Sequence, residues 1–205
     1  MLDDHPVVRQ GIRKILDGEP DISLEGEAAT FAELLGLFDA KKPDVVILDI
    51  TLPGSSGLDV LKELKTQYPG IPVLILTIHK EEHFALRTLK AGAEGFLNKM
   101  SVSDELVQAL RKVAGGGKYI NPRVADLLAM EINDLSSGIL HESLSDREFQ
   151  VLCLLGAGKS VSEIGQELRL SVKTISTYRQ RLLEKLEMKT TAELMHYAIQ
   201  RKLVS

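Results

Sequence analysis

Over its first 116 residues the chain alternates short apolar runs with longer amphipathic stretches, and few folds accommodate that order. "ISLEGEA" (22–28), "VVILDI" (45–50), "VLILTI" (73–78) and "EGFLNK" (94–99) read as strands. Residues 6–18, 30–42, 57–68, 81–92 and 103–116 carry apolar residues at helical spacing. Neighbouring parallel strands need a long crossover, so strands separated by helices predict βαβ units around a parallel sheet. The runs 45–50 and 73–78 are apolar nearly throughout, as expected when helices cover both faces. In such a sheet a functional site lies beyond the C-terminal strand ends. Asp49 and Thr77 stand at that edge, each closing an apolar run.

Other polar residues are expected beside them. Asp3 and Asp4 precede the first helix, and Lys99 ends the run 94–99. Three carboxylates gathered in one crevice repel unless a cation neutralises them. Oxygen-only ligands suit Mg2+, which binds through one or two carboxylates, waters and phosphate oxygens. A carboxylate beside such an ion can accept a phosphoryl group, with Lys99 and the Thr77 hydroxyl facing its oxygens. A single aspartate at a strand end is commonly a loop cap; five polar residues at one edge point to phosphoryl chemistry. Phe96 in "GFLNK" is core by default. His5 and His79 read as surface or outer-layer residues rather than metal ligands, because no other His or Cys has matching spacing.

The last third of the chain differs in charge and pattern. From Ser143 onward ten Lys/Arg stand against seven Asp/Glu, whereas the preceding residues hold fifteen against twenty-two. A basic tail on an acidic body suggests a polyanionic partner. Residues 117–143 form the expected connection, with "GGGKYINP" as a turn and "RVADLLAMEINDL" as a helix. Four short helices follow in 144–205. Ser145/Glu148, Ser160/Glu163 and Thr190/Glu193 have capping-box spacing, and Ser171 caps the remaining helix. The close pair 161–170 and 172–186 reads as a helix-turn-helix.

On the second helix of that pair, Ile175, Leu182 and Leu186 share the core-facing side. Lys173, Ser176, Thr177 and Gln180 share the other, whose chemistry suits a DNA major groove. Thr174, Tyr178 and Arg181 flank it where phosphates would be met. Arg179 lies nearer the core and is expected to pair with a carboxylate such as Glu148. The last helix carries Leu194, Met195, Tyr197, Ala198 and Leu203, more apolar side chains than one small module needs, which suggests a homodimer on promoter DNA.

"LDDHPVVRQG", "VVILDITLPGSSGLDVL", "VLILTIHKEE" and "AEGFLNKMS" closely resemble the receiver domain of two-component response regulators. "LSDREFQVLCLLGAGKSVSEIGQELRLSVKTISTYRQRLLEKL" resembles the helix-turn-helix of the NarL/FixJ (LuxR-type) subfamily. The resemblance implies a flavodoxin-like α/β receiver (1–116), a linker with a helix (117–143) and a small all-α DNA-binding domain (144–205). It implies Asp49 as the phosphoacceptor for a sensor histidine kinase. Mg2+ is implied at Asp3, Asp4, Asp49 and the Thr51 backbone carbonyl. Lys99 faces the phosphate, Thr77 is the switch hydroxyl and Phe96 the aromatic that turns with it. Thr51 and His79 occupy positions that tune the lifetime of the phosphate. Base contacts are implied at Ser176, Thr177 and Gln180. One departure stands out: only Met1 and Leu2 precede Asp3, so the first strand is largely missing, and further strand residues are expected upstream.

The chain has 205 residues and one cysteine, Cys153, which lies in an apolar helical run and reads as core. The opening residues hold no signal-peptide core and no run is long enough to span a membrane, so a cytoplasmic protein is expected. Two rival functions follow from the same residues. One is a constitutive DNA-binding protein whose receiver is a scaffold. The other is a phosphatase passing through an aspartyl phosphate, which would need a second acid where Thr51 stands.

Overall fold

A computed structural model of the chain describes residues 1–52, 56–77, 82–122, 124–126, 140–201 and 203–204. The chain forms two compact units, the first comprising Met1–Lys80 and Phe84–Asp126, the second taking in Leu127–Ser205.

The first unit is a parallel sheet of three strands, β1 (Val46–Asp49), β2 (Val73–Thr77) and β3 (Gly95–Asn98), in that spatial order. Asp49 pairs with Leu76, and Thr77 with Asn98, so the chain ends of all three strands fall at one edge. Helices α1 (Pro6–Leu16) and α2 (Phe31–Ala40) precede β1, and α3 (Gly57–Gln67), α4 (Glu82–Lys90) and α5 (Val102–Ala114) follow the three strands in turn. Ile12 and Leu16 of α1 and Leu106, Ala109 and Leu110 of α5 pack on Ile47, Leu74, Leu76 and Leu97. Each such fully buried aliphatic side chain contributes roughly 1.5–3 kcal/mol. At the edge opposite the site, Lys65 Nζ bonds both carboxylate oxygens of Glu94 and the Ile71 carbonyl. Glu94 in turn accepts from Val73 N at 2.7 Å, tying α3 to the starts of β2 and β3.

The expected strand at 22–28 does not form. Only Ala28 enters a bridge, to Leu2, and Leu2 bridges Leu48 on its other side. Leu2 N donates to Ile47 O, and Asp49 N to Leu2 O. A strand exists by passing its backbone groups to a neighbour. Here that neighbour is two or three residues long, which suffices to place Asp3 but not to order 22–28 as a ladder. The helix expected at 123–135 lies largely outside the described residues, as does His79.

The second unit contains α6 (Asp146–Gly156), α7 (Val161–Leu168), α8 (Val172–Lys185) and α9 (Thr191–Gln200). The helices α7, α8 and α9 all pack on α6. The capping boxes at Ser145/Glu148 and Ser160/Glu163 are both complete. At the third, Thr190 accepts from Glu193 N, but the Glu193 carboxylate accepts from Lys189 N, one residue earlier than the pattern predicts. The turn between α7 and α8 is tight: Arg169 adopts a left-handed conformation at φ 52, and Leu170 N donates to Gly165 O at 2.8 Å. A Cβ on Gly165 would meet that Leu170 segment at 2.9 Å, so the turn requires glycine there. Among the described residues, no helix is long and apolar enough to cross a membrane.

Candidate functional sites

Asp49 closes β1 with only 1% of its surface exposed. Its Oδ1 accepts from Thr51 N at 3.0 Å and its Oδ2 from Lys99 Nζ at 2.8 Å. Lys99 opens the 3-10 turn Lys99–Ser101 directly after β3, its side chain only 9% exposed. The same Nζ lies 2.7 Å from Asp3 Oδ2. Asp3 is equally buried, and its Oδ2 accepts no well-angled hydrogen bond, leaving the contact with Lys99 purely ionic. The turn after Asp3 is braced twice: His5 N donates to Asp3 Oδ1 at 2.8 Å, and Arg9 Nη1 to the Asp3 carbonyl at 2.7 Å. Pro6, at the start of α1, then turns the chain away.

Asp4 and His5 complete the group. His5 Nδ1 stands 2.8 Å from Asp4 Oδ1, 3.3 Å from Asp3 Oδ1 and 3.9 Å from Asp49 Oδ2. One ligand atom from each of Asp3, Asp4, His5 and Asp49 lies within 4.8 Å of the others. His5, expected as a surface or outer-layer residue, places its ring nitrogen beside these carboxylates. The signal was its adjacency to two aspartates, which spacing rules for His/Cys sites do not register.

The electrostatics follow from burial. Desolvation pushes the Asp49 carboxyl up to about 6, Lys99 pulls it back down, and the Asp3 charge raises it again. A cation entering the cluster would relieve both the desolvation and the repulsion. The donor set suits one: three carboxylates converge, and a buried Asp3 oxygen has no hydrogen bond to give up. Gly57, next to this loop, can carry no side chain without collision, since its Cβ would stand 2.5 Å from Asp49 O and Ile50 Cα.

The remaining expected residues sit at the same edge or just behind it. Thr51, two residues past Asp49, is buried, and its segment forms a bridge with Ser56. Thr77 ends β2 fully buried. Phe96 lies within β3, paired with Ile75 and buried.

The second candidate surface is α8. Ile175, Leu182 and Leu186 are buried, while Lys173, Thr177, Gln180 and Arg181 are exposed and Thr174, Ser176 and Tyr178 half-buried. Several of these side chains are held along the helix: Thr177 Oγ1 donates to Lys173 O, Gln180 Nε2 to Glu184 Oε1, and Thr174 Oγ1 bonds Ser171 Oγ. Arg179 does not pair with Glu148. Glu148 is bound by Lys185 Nζ at 2.7 Å, and Arg179 Nε is buried without a hydrogen-bond partner among the described residues. Lys185, a turn and a half further on, reaches the capping carboxylate because α8 crosses the start of α6 near its own C-terminus.

Two families match the chain. Residues 1–111 match "Response regulator receiver domain", and residues 142–198 match "Bacterial regulatory proteins, luxR family". The chain is 35% identical over 205 residues to the response regulator GacA of Pseudomonas aeruginosa, covering 100% of this chain and 96% of that protein. It is 34% identical over 200 residues to the response regulator UvrY of Escherichia coli, covering 97% and 92%. Among solved structures, RcsB of Salmonella enterica serovar Typhimurium, bound to promoter rprA in the presence of the phosphomimetic BeF3-, matches with a TM-score of 0.63 and 27% identity, covering 96% of this chain and 95% of that one. The parallel sheet, the four-helix module and these two matches in series lead to one conclusion: the chain belongs to the response regulators of the NarL/FixJ type, transcription regulators in which a receiver domain is joined to a LuxR-type DNA-binding domain.

Proposed function

We propose that this protein binds promoter DNA through α8 and that a phosphoryl group on Asp49, taken from a sensor histidine kinase, raises that binding. The observation that carries the reading is the meeting of Asp49, Asp3 and Lys99 at one buried edge, with Lys99 Nζ within 2.8 Å of a carboxylate oxygen of each aspartate. Asp49 Oδ2 is the oxygen offered to the incoming group, and Lys99 is positioned to move from that oxygen to those of the phosphoryl group. Asp3, Asp4, Asp49 and the Thr51 carbonyl would hold Mg2+, which when bound supplies positive charge against the phosphoryl oxygens. Thr77 and Phe96, in adjacent strands at the same edge, are the residues we assign to the switch. Their inward movement biases an equilibrium between occluded and DNA-competent arrangements.

Domains at 1–116 and 144–205 with a linker at 117–143 fit this division of labour. Ser176, Thr177 and Gln180 read bases; Lys173, Thr174, Tyr178 and Arg181 meet the backbone. On α9, Ile199 leaves 58% of its surface exposed beside half-buried Met195, which supports a homodimer contact there. Thr51 stands where a water-activating acid would be required, so the phosphoryl group is held as a signal rather than turned over, in a cytoplasmic regulator.

The test is promoter affinity before and after treatment with a small phosphodonor and Mg2+. Treatment should raise affinity at least tenfold in the wild type and leave it level in Asp49→Ala. Equal affinity with Asp49 demonstrably phosphorylated would favour the scaffold reading instead.

A further inference from the structure

We propose that Arg179 holds a DNA phosphate on the side of the major groove opposite the one met by Arg181, and that DNA supplies the partner its guanidinium lacks in the free protein. The inference rests on the reading of α8 as the helix that enters the groove, and adds a contact to it.

Arg179 Nε is buried and makes no hydrogen bond among the described residues. Glu184, the one carboxylate of α8, accepts from Gln180 Nε2 at 3.1 Å. Glu148, at the start of α6, accepts from Lys185 Nζ at 2.7 Å and from Ser145 N at 2.8 Å. Enclosing a donor without a partner destabilises a fold, so such a group calls for an explanation. Arg179 as a whole is only half-buried, which leaves the rest of its guanidinium open to a ligand. Paired N–H groups and a permanent charge suit it to an anion with several oxygens.

Its position on the helix selects the anion. At about 100° per residue, Arg179 and Arg181 project to opposite sides of Gln180. Gln180 and Arg181 are exposed, and Lys173 and Thr177 share the polar face with Gln180. With that face toward base edges, each arginine faces one of the two phosphate rows that border the groove. Ile175 and Leu182, about one turn before and after Arg179, are buried. Arg179 therefore leaves α8 beside the core, and its apolar stem lies along the module while the charged end reaches out. Of the four cations of α8, Lys185 is bound to Glu148, while Lys173 and Arg181 lie on the polar face or beyond it. Only Arg179 serves the phosphate row on the core side.

A contact that replaces a missing partner gives stability and binding opposite responses. In the full chain without DNA, Arg179→Met removes the unpartnered donor and keeps an apolar stem, so its midpoint in urea should equal or exceed that of the wild type. On DNA the same variant should bind about tenfold more weakly at about 0.1 M salt, and the slope of log affinity against log salt should fall by about one per bound chain. The probes are a duplex selected from a random-sequence pool by the wild-type protein and a scrambled duplex of equal length. The loss should be the same on both. Arg179→Lys, which keeps the charge, should recover most of the slope. A full slope in Arg179→Met, or a lowered midpoint with DNA binding unchanged, overturns the proposal and makes Arg179 a packing residue. Gln180→Ala on the same duplexes separates the two readings. If it loses preference for the selected duplex while Arg179→Met keeps its slope, α8 still reads DNA and the role of Arg179 alone fails. Unchanged binding in both variants removes the reading of α8 itself.

Discussion

Lys99 Nζ lies 2.8 Å from Asp49 Oδ2, although the two residues are fifty positions apart in the chain. That contact places a cation beside a carboxylate that burial penalises, and it does not cancel the penalty. Asp49 remains raised to about 6, against 3.8 for a free aspartate, chiefly through desolvation.

A raised carboxyl stabilises the fold only while it is protonated. Asp49 therefore favours folding fully below about pH 4, and this advantage is lost as pH climbs through about 6. In chelator, Asp49→Asn should match the wild type in stability below pH 4 and exceed it at pH 7.5, by roughly 3 kcal/mol at most. Thermal unfolding across pH 3.5–8 checks this; a variant less stable than wild type at pH 7.5 contradicts it.

Lys99→Met removes the cation shared by two buried carboxylates. Breaking a buried pair by deleting one partner commonly costs about 3–5 kcal/mol. We expect about 2 kcal/mol at pH 7.5, because Asp49 can take up a proton and shed its charge. The deficit should shrink on acidification and on adding a divalent cation, since ion binding to the folded state stabilises it by mass action. A deficit indifferent to both would mean that Lys99 matters for packing rather than charge.

Gly57→Ala should cost at least 2 kcal/mol and slow phosphorylation of Asp49 together. Its new methyl group has no flexible side chain to displace, only the backbone of Asp49 and Ile50 at 2.5 Å. Denaturant unfolding and phosphorylation rates on the same sample would show whether the two losses travel together.

In the second unit, Lys185→Met should destabilise by about 1 kcal/mol, because Lys185 is partly exposed and screened while Glu148 is buried. Burial pushes the Glu148 carboxyl up, but Lys185 and the Ser145 cap outweigh it and hold it low. Its contribution is thus present at neutral pH and fades as pH falls through the carboxylate range. A double-mutant cycle with Glu148→Gln, read at neutral and acidic pH, isolates the pair.

On α8, Gln180→Ala should weaken binding by roughly 1–3 kcal/mol and relax preference at one base pair. Lys173→Ala should weaken all sequences alike and lower the salt slope by about one. Affinities measured at several salt concentrations on matched and mismatched sites would separate the two roles.

Much of the architecture was legible because it rests on short-range rules. The 3.6-residue spacing of Ile175, Leu182 and Leu186 turned one side of α8 to the core, and Ser145 and Ser160 capped their helices within a single turn. Apolar runs marked β1, β2 and β3, and an aspartate closing such a run marked the edge that matters. Local sequence alone determined these features, since each depends on residues within one helix, one strand or one turn. Tertiary structure decided the rest. Residues 22–28 have the composition of a strand but lack a neighbour long enough to take their backbone groups. Lys185 rather than Arg179 found Glu148, because helix crossing sets which cation arrives. The ring of His5 turned toward Asp3 and Asp4, and Lys99 came to straddle two carboxylates, because strand register brought distant segments to one edge where desolvated charges must find partners.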